Sequence, residues 1–281
     1  MVERLRDAIA QARASRENRS LDDLRPRGGE HATMTLRPGV AGAAWQALDP
    51  WSPAPRLLES ARVVTTEPRA EAAPFDLMRT KILQQMRAKG WRRLAITSPT
   101  AGCGKSTIAL NLAFSLARQD ELFCALIEAD LRRPSLARML QIDSGAQVSQ
   151  VFDGRAELRE HACRYGANLA IATNARAVEN PSELIQSQTC AKALDRIEAL
   201  YQPELMLFDT APVLVSDDTL ALAAHVDCVL IIAATEETTI KEIDICEREL
   251  AERTNVMGVV VNKFRYSGPE YGYGYGVDAS Q

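Results

Sequence analysis

The 281-residue sequence contains no CxxC pair, and its six cysteines (103, 124, 163, 190, 228 and 246) are never closer than 18 positions apart. That spacing excludes zinc ribbons and dithiol redox motifs, and scattered single thiols fit a reducing compartment better than a disulfide scaffold. No apolar run reaches the roughly 18 residues of a membrane span, and the first twenty residues lack the apolar stretch of a signal peptide. Net charge is only −4 at pH 7, which argues against nucleic-acid binding driven by bulk positive charge. The three histidines (31, 161 and 225) have no ligand spacing to one another. These absences predict a soluble, cytoplasmic protein that binds no nucleic acid. What the sequence does have is 46% apolar residues, enough for a sizeable core in one large domain or two small ones.

Three compositions divide the chain. Residues 1–74 carry seven of the 13 prolines, with Gly28-Gly29, and read as a flexible Pro-rich N-terminal linker apart from a short amphipathic helix around Leu5, Ile9 and Ala12. Residues 75–264 read as a folded domain. There Phe75, Met78, Ile82 and Met86 recur at helical spacing, and apolar runs at 94–98, 123–130, 168–173, 204–210, 226–235 and 255–263 read as strands. Helical patterns separate most of them, notably 182–200 and 239–253. Near-continuous apolar strands alternating with helices predict an α/β fold, a mostly parallel sheet with helices on both faces. Residues 265–281 form a tail in which four of the protein's six tyrosines (266, 271, 273 and 275) are interleaved with glycine. Glycine at that density opposes helix and strand alike and predicts mobility.

The run SPTAGCGKST (98–107) follows a strand and opens a helix, the context of a phosphate-binding loop. Gly102 and Gly104 admit phosphate oxygens to the backbone, and loop N–H groups together with the positive helix end attract the anion. Thr100, Ala101, Cys103 and Thr107 complete the cradle. Lys105 can reach the β- and γ-phosphates, and the Ser106 hydroxyl can ligate Mg²⁺. The full GxxxxGK[ST] pattern has glycine where this chain has Pro99. Two acidic strand ends should converge on the same rim: Glu128 and Asp130 in ALIEADLRRP, and Asp209 in LMLFDTAP. Asp209 is the obvious carboxylate for a Mg²⁺–triphosphate, with Ser106, Glu128 and Asp130 as further candidates. Asp130 could also take a proton from an attacking hydroxyl.

From Phe75 to about Phe264 the sequence resembles the bacterial tyrosine kinases (BY-kinases) of capsule and exopolysaccharide synthesis, members of the P-loop NTPase superfamily. The resemblance rests on SPTAGCGKST, on ALIEADLR (with Glu128 where the family has Asp), on LFDTAP, on ENPSELI (179–185), on GVVVNKF (258–264) and on the tyrosine-rich end. Related partition, division-site and nitrogenase-type ATPases carry a second lysine where this chain has Thr100. The resemblance implies ATP and Mg²⁺ as ligands, catalytic roles for Lys105, Asp130 and Asp209, a place near the adenine for Asn262, and autophosphorylation at Tyr266, Tyr271, Tyr273 and Tyr275. It further implies a membrane-embedded polysaccharide co-polymerase that recruits and activates the chain at the inner face of the membrane. The family's ExxRxxR self-association helix survives here only as Ala73, Asp76 and Arg79. The alternatives are a non-kinase P-loop ATPase switch, with Glu128 marking lost kinase chemistry, or a module that binds nucleotide without turnover. On the kinase reading, Glu128→Asp keeps or raises activity.

Other residues admit two readings. Cys103 is either a small-residue replacement or a redox-sensitive thiol. Arg132 and Arg133 are phosphate or partner contacts, or a solvated pair. Asp217 and Asp218 read as helix caps, or as groups with direct chemistry. Trp45 and Trp51 are isolated linker aromatics, or anchors for a partner.

Overall fold

Strict alternation of side chains along the central strands gives each strand two apolar faces, and both must be covered. The structure, a computed structural model describing residues 39–142 and 145–264, covers both with helices. Eight strands form one sheet: β1 (Asp49–Pro50), β2 (Arg93–Thr97), β3 (Cys124–Glu128), β4 (Ala162–Tyr165), β5 (Leu169–Ala172), β6 (Leu205–Asp209), β7 (Cys228–Ala234) and β8 (Asn255–Asn262). Their order is β1-β4-β5-β3-β6-β2-β7-β8, and every pair is parallel except β4–β5. The longer helices are α1 (Gly39–Gln46), α2 (Pro55–Ser60), α3 (Ala73–Lys89), α4 (Lys105–Ala117), α5 (Pro181–Gln186), α6 (Gln188–Tyr201), α7 (Asp218–Ala223) and α8 (Ile240–Ala251).

The alternation sorts the core into two layers. Ala125, Ile127, Met206, Phe208, Val229 and Ile231 pack on one face with Leu194 and Ile197 of α6 and Leu250 of α8. Their sequence neighbours Leu126, Leu207, Leu230 and Ile232 pack on the other with Ile82 and Met86 of α3 and Leu110 and Phe114 of α4. Helix α4 is buried continuously from Ile108 to Leu116, as a helix apolar on nearly every side must be. It docks α3 through polar groups. Ser115 Oγ donates to Asp76 at 2.7 Å, Arg79 donates to the Ser115 carbonyl at 2.7 Å, and the Arg118 guanidinium forks onto Asp76 at 3.0 Å. Asp76 and Arg79, which stand in the altered self-association motif, are thus spent inside the chain.

The sequence-based strands are found within a residue or two. The single helix expected over 182–200 is two, α5 and α6, because Ser187 adopts an extended backbone and its hydroxyl caps Cys190 N. The short β4, antiparallel to β5, was not expected; Arg164 and Tyr165 give it too little apolar alternation.

The linker expectation for residues 39–74 needs correction, since this stretch is folded. Trp45 is 2% exposed, donates from Nε1 to the Tyr201 carbonyl at 2.8 Å and packs edge-on against Phe123 and Tyr201. Leu58, Ala61 and Val63 join the second core layer, and Asn111 of α4 clamps the turn beyond α2 by bonding Val64 N and the Arg62 carbonyl, each at 2.8 Å. The prolines misled because they sit where no N–H is needed: Pro55 and Pro74 in the first turns of α2 and α3, and Pro50 in an edge strand. The anticipated helix near Leu5 and the tail tyrosines lie outside the described residues.

If Trp45 is a core residue, Trp45→Ala should lower unfolding free energy by about 3–5 kcal/mol in urea titration. A midpoint equal to wild type would return residues 39–74 to the status of a linker.

Candidate functional site

Parallel sheets bind ligands beyond the carboxyl ends of their strands, and here the three central neighbours β3, β6 and β2 end together. The register pairs Glu128 with Asp209 and Asp209 with Ile96. Beyond the strand ends, Ala129 N and Asp130 N both donate to the Asp209 carbonyl, at 2.7 and 2.9 Å. Chain crossings thus place the loop after β2 and the acidic ends of β3 and β6 on one rim.

The loop has the conformation of an anion cradle. Gly104 takes φ 92° at the N-cap of α4, and no side chain caps that helix end, so the first-turn N–H groups face an incoming anion. Gly104 is required twice over. Besides its φ, a Cβ there would lie 2.3 Å from Asn262 Nδ2, which donates to the Cys103 carbonyl at 2.8 Å. The Asn262 amide therefore rests on the loop itself. Thr235 N and Oγ1 fix it from behind by donating to its main-chain carbonyl, both at 3.0 Å. Ala101 and Gly102 are exposed at the loop crest, with Thr100, Ser106 and Thr107 half-buried.

Lys105 Nζ lies 3.2 Å from Asp130 Oδ2, both largely buried, and Asp130 Oδ1 accepts from Arg133 N at 3.0 Å. Asp209 is different. It is wholly buried, and among the described residues neither of its carboxylate oxygens has a hydrogen-bond partner. Burial pushes its carboxyl up to about 6, opposed by the charge of Lys105 and by the Ser106 hydroxyl, which is near but not placed for a well-formed bond. A buried carboxylate without a partner is costly, and a cation would relieve it. Unpartnered Asp209 and the Ser106 hydroxyl, which accepts a long 3.4 Å bond from Ser135 Oγ, are hard oxygens of the kind Mg²⁺ takes alongside phosphate and water. Among the described residues no three His, Cys, Asp or Glu side chains converge as a metal cluster, so phosphate and water would have to complete the shell.

Glu128 does not belong to that set, contrary to expectation. Its carboxylate is fully buried and accepts from Ser135 N, from Leu136 N at 2.7 Å and from Asn174 N at 2.8 Å. Burial pushes it up to about 7 against those three bonds. Glu128 is a strut that ties β3 to the segments after Arg133 and after β5, and the extra methylene supplies the reach. Asp130, a candidate ligand and base, is engaged with Lys105.

Several of the residues with two readings also resolve. Burial raises the Cys103 thiol, and hydrogen bonds with Thr238 and Thr100 outweigh it, leaving it below an ordinary thiol. The side chain is nevertheless 0% exposed, which fits a small packing residue. Arg132 forks onto Asp218 with two bonds of 3.0 Å, and Ser216 Oγ donates to the same carboxylate at 3.0 Å. This pairing of an exposed arginine with the buried Asp218 has no local sequence signal, because 86 positions separate its members. Asp217 holds the N-cap position of α7 without a side-chain cap bond. A cleft of about 1140 Å³ among the described residues lies at the amino ends of β2 and β6, remote from this rim.

A parallel sheet with a glycine-led phosphate cradle, a buried lysine and an unsatisfied strand-end carboxylate defines a P-loop nucleotide-binding domain. Residues 94–271 match the model of the CobQ/CobB/MinD/ParA nucleotide binding domain, and the chain belongs to that family. It is 31% identical over 216 residues to EpsB of Ralstonia solanacearum, which covers 76% of this chain and 28% of EpsB. With tyrosine-protein kinase YwqD of Bacillus subtilis it shares 26% identity over 215 residues, 75% of this chain and 90% of YwqD. The chain thus spans little more than a quarter of EpsB but nearly all of YwqD. The kinase domain of the Escherichia coli tyrosine kinase Etk has the same fold, with TM-score 0.67 and 23% identity over 90% of each chain.

Because Glu128 holds three backbone N–H groups, Glu128→Asp should shorten the strut and leave buried donors unpaired. We expect a stability loss on the order of 2–4 kcal/mol, measured by urea unfolding, and no gain in nucleotide turnover. A stable, more active Glu128→Asp variant would return Glu128 to the metal site.

Proposed function

We propose that the chain is an ATP-dependent protein-tyrosine kinase acting first on its own C-terminal tyrosines, in the control of exopolysaccharide or capsule polymerisation and export. The observation that carries the reading is the rim itself: a buried lysine and an uncapped helix end for phosphate, beside a buried carboxylate that lacks a partner. The relatedness to YwqD across nearly all of that kinase supports tyrosine as the acceptor.

The loop from Thr100 to Thr107 would hold the phosphates of ATP, with Asn262 Oδ1 offered to the base from the side of β8. Bound Mg²⁺, held by Asp209 and Ser106, would neutralise charge on the β- and γ-phosphates. Lys105 is poised by Asp130 and can turn from that carboxylate to the transferred phosphoryl group, where it stabilises developing charge. Release of Lys105 leaves Asp130 as the carboxylate that accepts the proton of an acceptor tyrosine, whose phenol ordinarily ionises near pH 10. Replacement of the family's Asp by Glu128 removes no ligand from this scheme, since Glu128 serves the backbone.

Tyr266, Tyr271, Tyr273 and Tyr275 are the proposed acceptors. Among the described residues no helix is long and apolar enough to cross a membrane, and we infer recruitment to the inner face of the cell membrane by a membrane-embedded polysaccharide co-polymerase. Self-association would use surfaces other than the ExxRxxR helix, whose surviving polar residues hold α3 on α4.

Labelled ATP and Mg²⁺ with the full chain and a peptide of the membrane partner should place phosphate on the tail tyrosines. Lys105→Met should reduce that transfer at least about a hundredfold with an unchanged circular dichroism spectrum. Free phosphate without phosphotyrosine would replace the kinase by an ATPase switch. Undiminished transfer by Lys105→Met would remove the phosphate-loop assignment.

A further inference from the structure

The two edges of the sheet differ sharply. One ends in β1, two residues long and containing Pro50, which blunts it against pairing. The other is β8, eight residues with no strand beyond it among the described residues. The Asn262 carbonyl points inward, to Thr235 N. Strand alternation therefore turns the N–H and C=O groups of Val259 and Val261 outward, and these residues are 40% and 60% exposed. A long open apolar edge calls for a cover.

Beside that edge runs a groove of about 650 Å³ between β8 and α3, lined mainly by Phe75, Leu77, Met78, Val260 and Phe264. Leu77 is 55% and Phe264 65% exposed. At Gly258, whose neighbour Val260 packs on the α3 side, a Cβ would meet nothing within 4 Å, so the groove floor is open. The chain leaves β8 at Lys263, whose φ of 60° turns it, and the last described residue, Phe264, lies in the groove. Seventeen residues follow. They contain Ser267-Gly268-Pro269, turn-forming residues, then Tyr271-Gly272-Tyr273-Gly274-Tyr275-Gly276-Val277. That run has a period of two, which places all three tyrosines and Val277 on one face of an extended segment. Seven residues span about 23 Å, against about 26 Å for β8.

We propose that residues 271–277 pair antiparallel with the open edge of β8 and seat Tyr271, Tyr273 and Tyr275 in the groove between β8 and α3. Alternating glycine opposes a free strand. Against a preformed edge, backbone pairing and burial of three rings offset that cost, and an aromatic ring opposite Gly258 shields backbone that glycine leaves bare. The six residues from Arg265 to Glu270 make the return loop. The docking is independent of any activity. Its regulatory consequence rests on the kinase reading: a phosphate of about −1.5 to −2 charge on each ring is disfavoured in a groove lined mainly by apolar side chains, with Lys81 and Lys263 as its cations, so transfer would release the strand and open the edge.

The test is amide hydrogen exchange read by NMR on the nucleotide-free full chain, so that a failed kinase reading leaves it unaffected. Wild type is compared with a variant carrying Tyr271, Tyr273 and Tyr275 all changed to Ser, and with Leu77→Glu at the groove's exposed rim. The expected result is exchange of the Val259 and Val261 amides at least tenfold slower in wild type than in either variant, at every protein concentration. Equal rates in wild type and the triple Ser variant would overturn the proposal. So would protection that grows with concentration, since the edge would then be covered by a second copy.

Discussion

Asp209 is held in the middle of the sheet by the pairing of β6 with both β3 and β2, and its carboxylate is buried without a partner. A fold does not keep such a group for stability; the ionised form is disfavoured where it stands. The neighbouring elements are arranged to make the position unavoidable. The Asp209 carbonyl anchors the backbone of Ala129 and Asp130, so the strand end cannot retreat without disrupting β3's exit. Lys105 and Ser106 approach from the phosphate loop but leave the carboxylate short of satisfaction. On the proposed function, a cation brought in with phosphate would complete what the protein leaves unfinished.

The remainder of the rim is a set of mutual restraints. Lys105 and Asp130 neutralise each other, which keeps a buried ammonium and a buried carboxylate tolerable until phosphate competes for the lysine. Glu128 braces the backbone after β3 and β5, and Asn262 braces the loop from the end of β8. Asn262 also links the loop to the sheet edge, so events at β8 and events at the phosphate loop share one residue.

Much of this was legible in the sequence because it is local. The strand–loop–helix run 98–107 and the acidic strand ends at 128–130 and 209 are contiguous signals, and parallel topology brings them to one rim. The resemblance to BY-kinases drew on the same segments, and the relatives agree with it. What could not be read was the direction in which a side chain is spent. Glu128 looked like a metal ligand with one methylene too many; that methylene lets it reach three N–H groups on two other segments. Arg132 read as a phosphate or partner contact or a solvated residue, and Asp218 as a helix cap, yet the exposed guanidinium forks onto the buried Asp218 carboxylate. Residues 39–74 looked like a linker because proline counts ignore where each proline stands. Trp45 finds its partners at positions 123 and 201, a separation no local pattern reports.

The central claim is that Asp209 is a buried carboxylate kept for a cation. The most direct test is the unfolding stability of wild type and Asp209→Asn across pH 5 to 8, with and without ATP and Mg²⁺. A carboxyl whose folded pKa is about 6, above its unfolded value near 4, contributes stability that is complete below the unfolded value and lost as pH rises through 6. Asparagine has no such loss. At pH 7.5 without ligand, Asp209→Asn should therefore be more stable than wild type, by on the order of 2–3 kcal/mol, and it should gain far less from ATP with Mg²⁺. A variant less stable than wild type at pH 7.5, or one stabilised equally by ATP with Mg²⁺, would contradict the account.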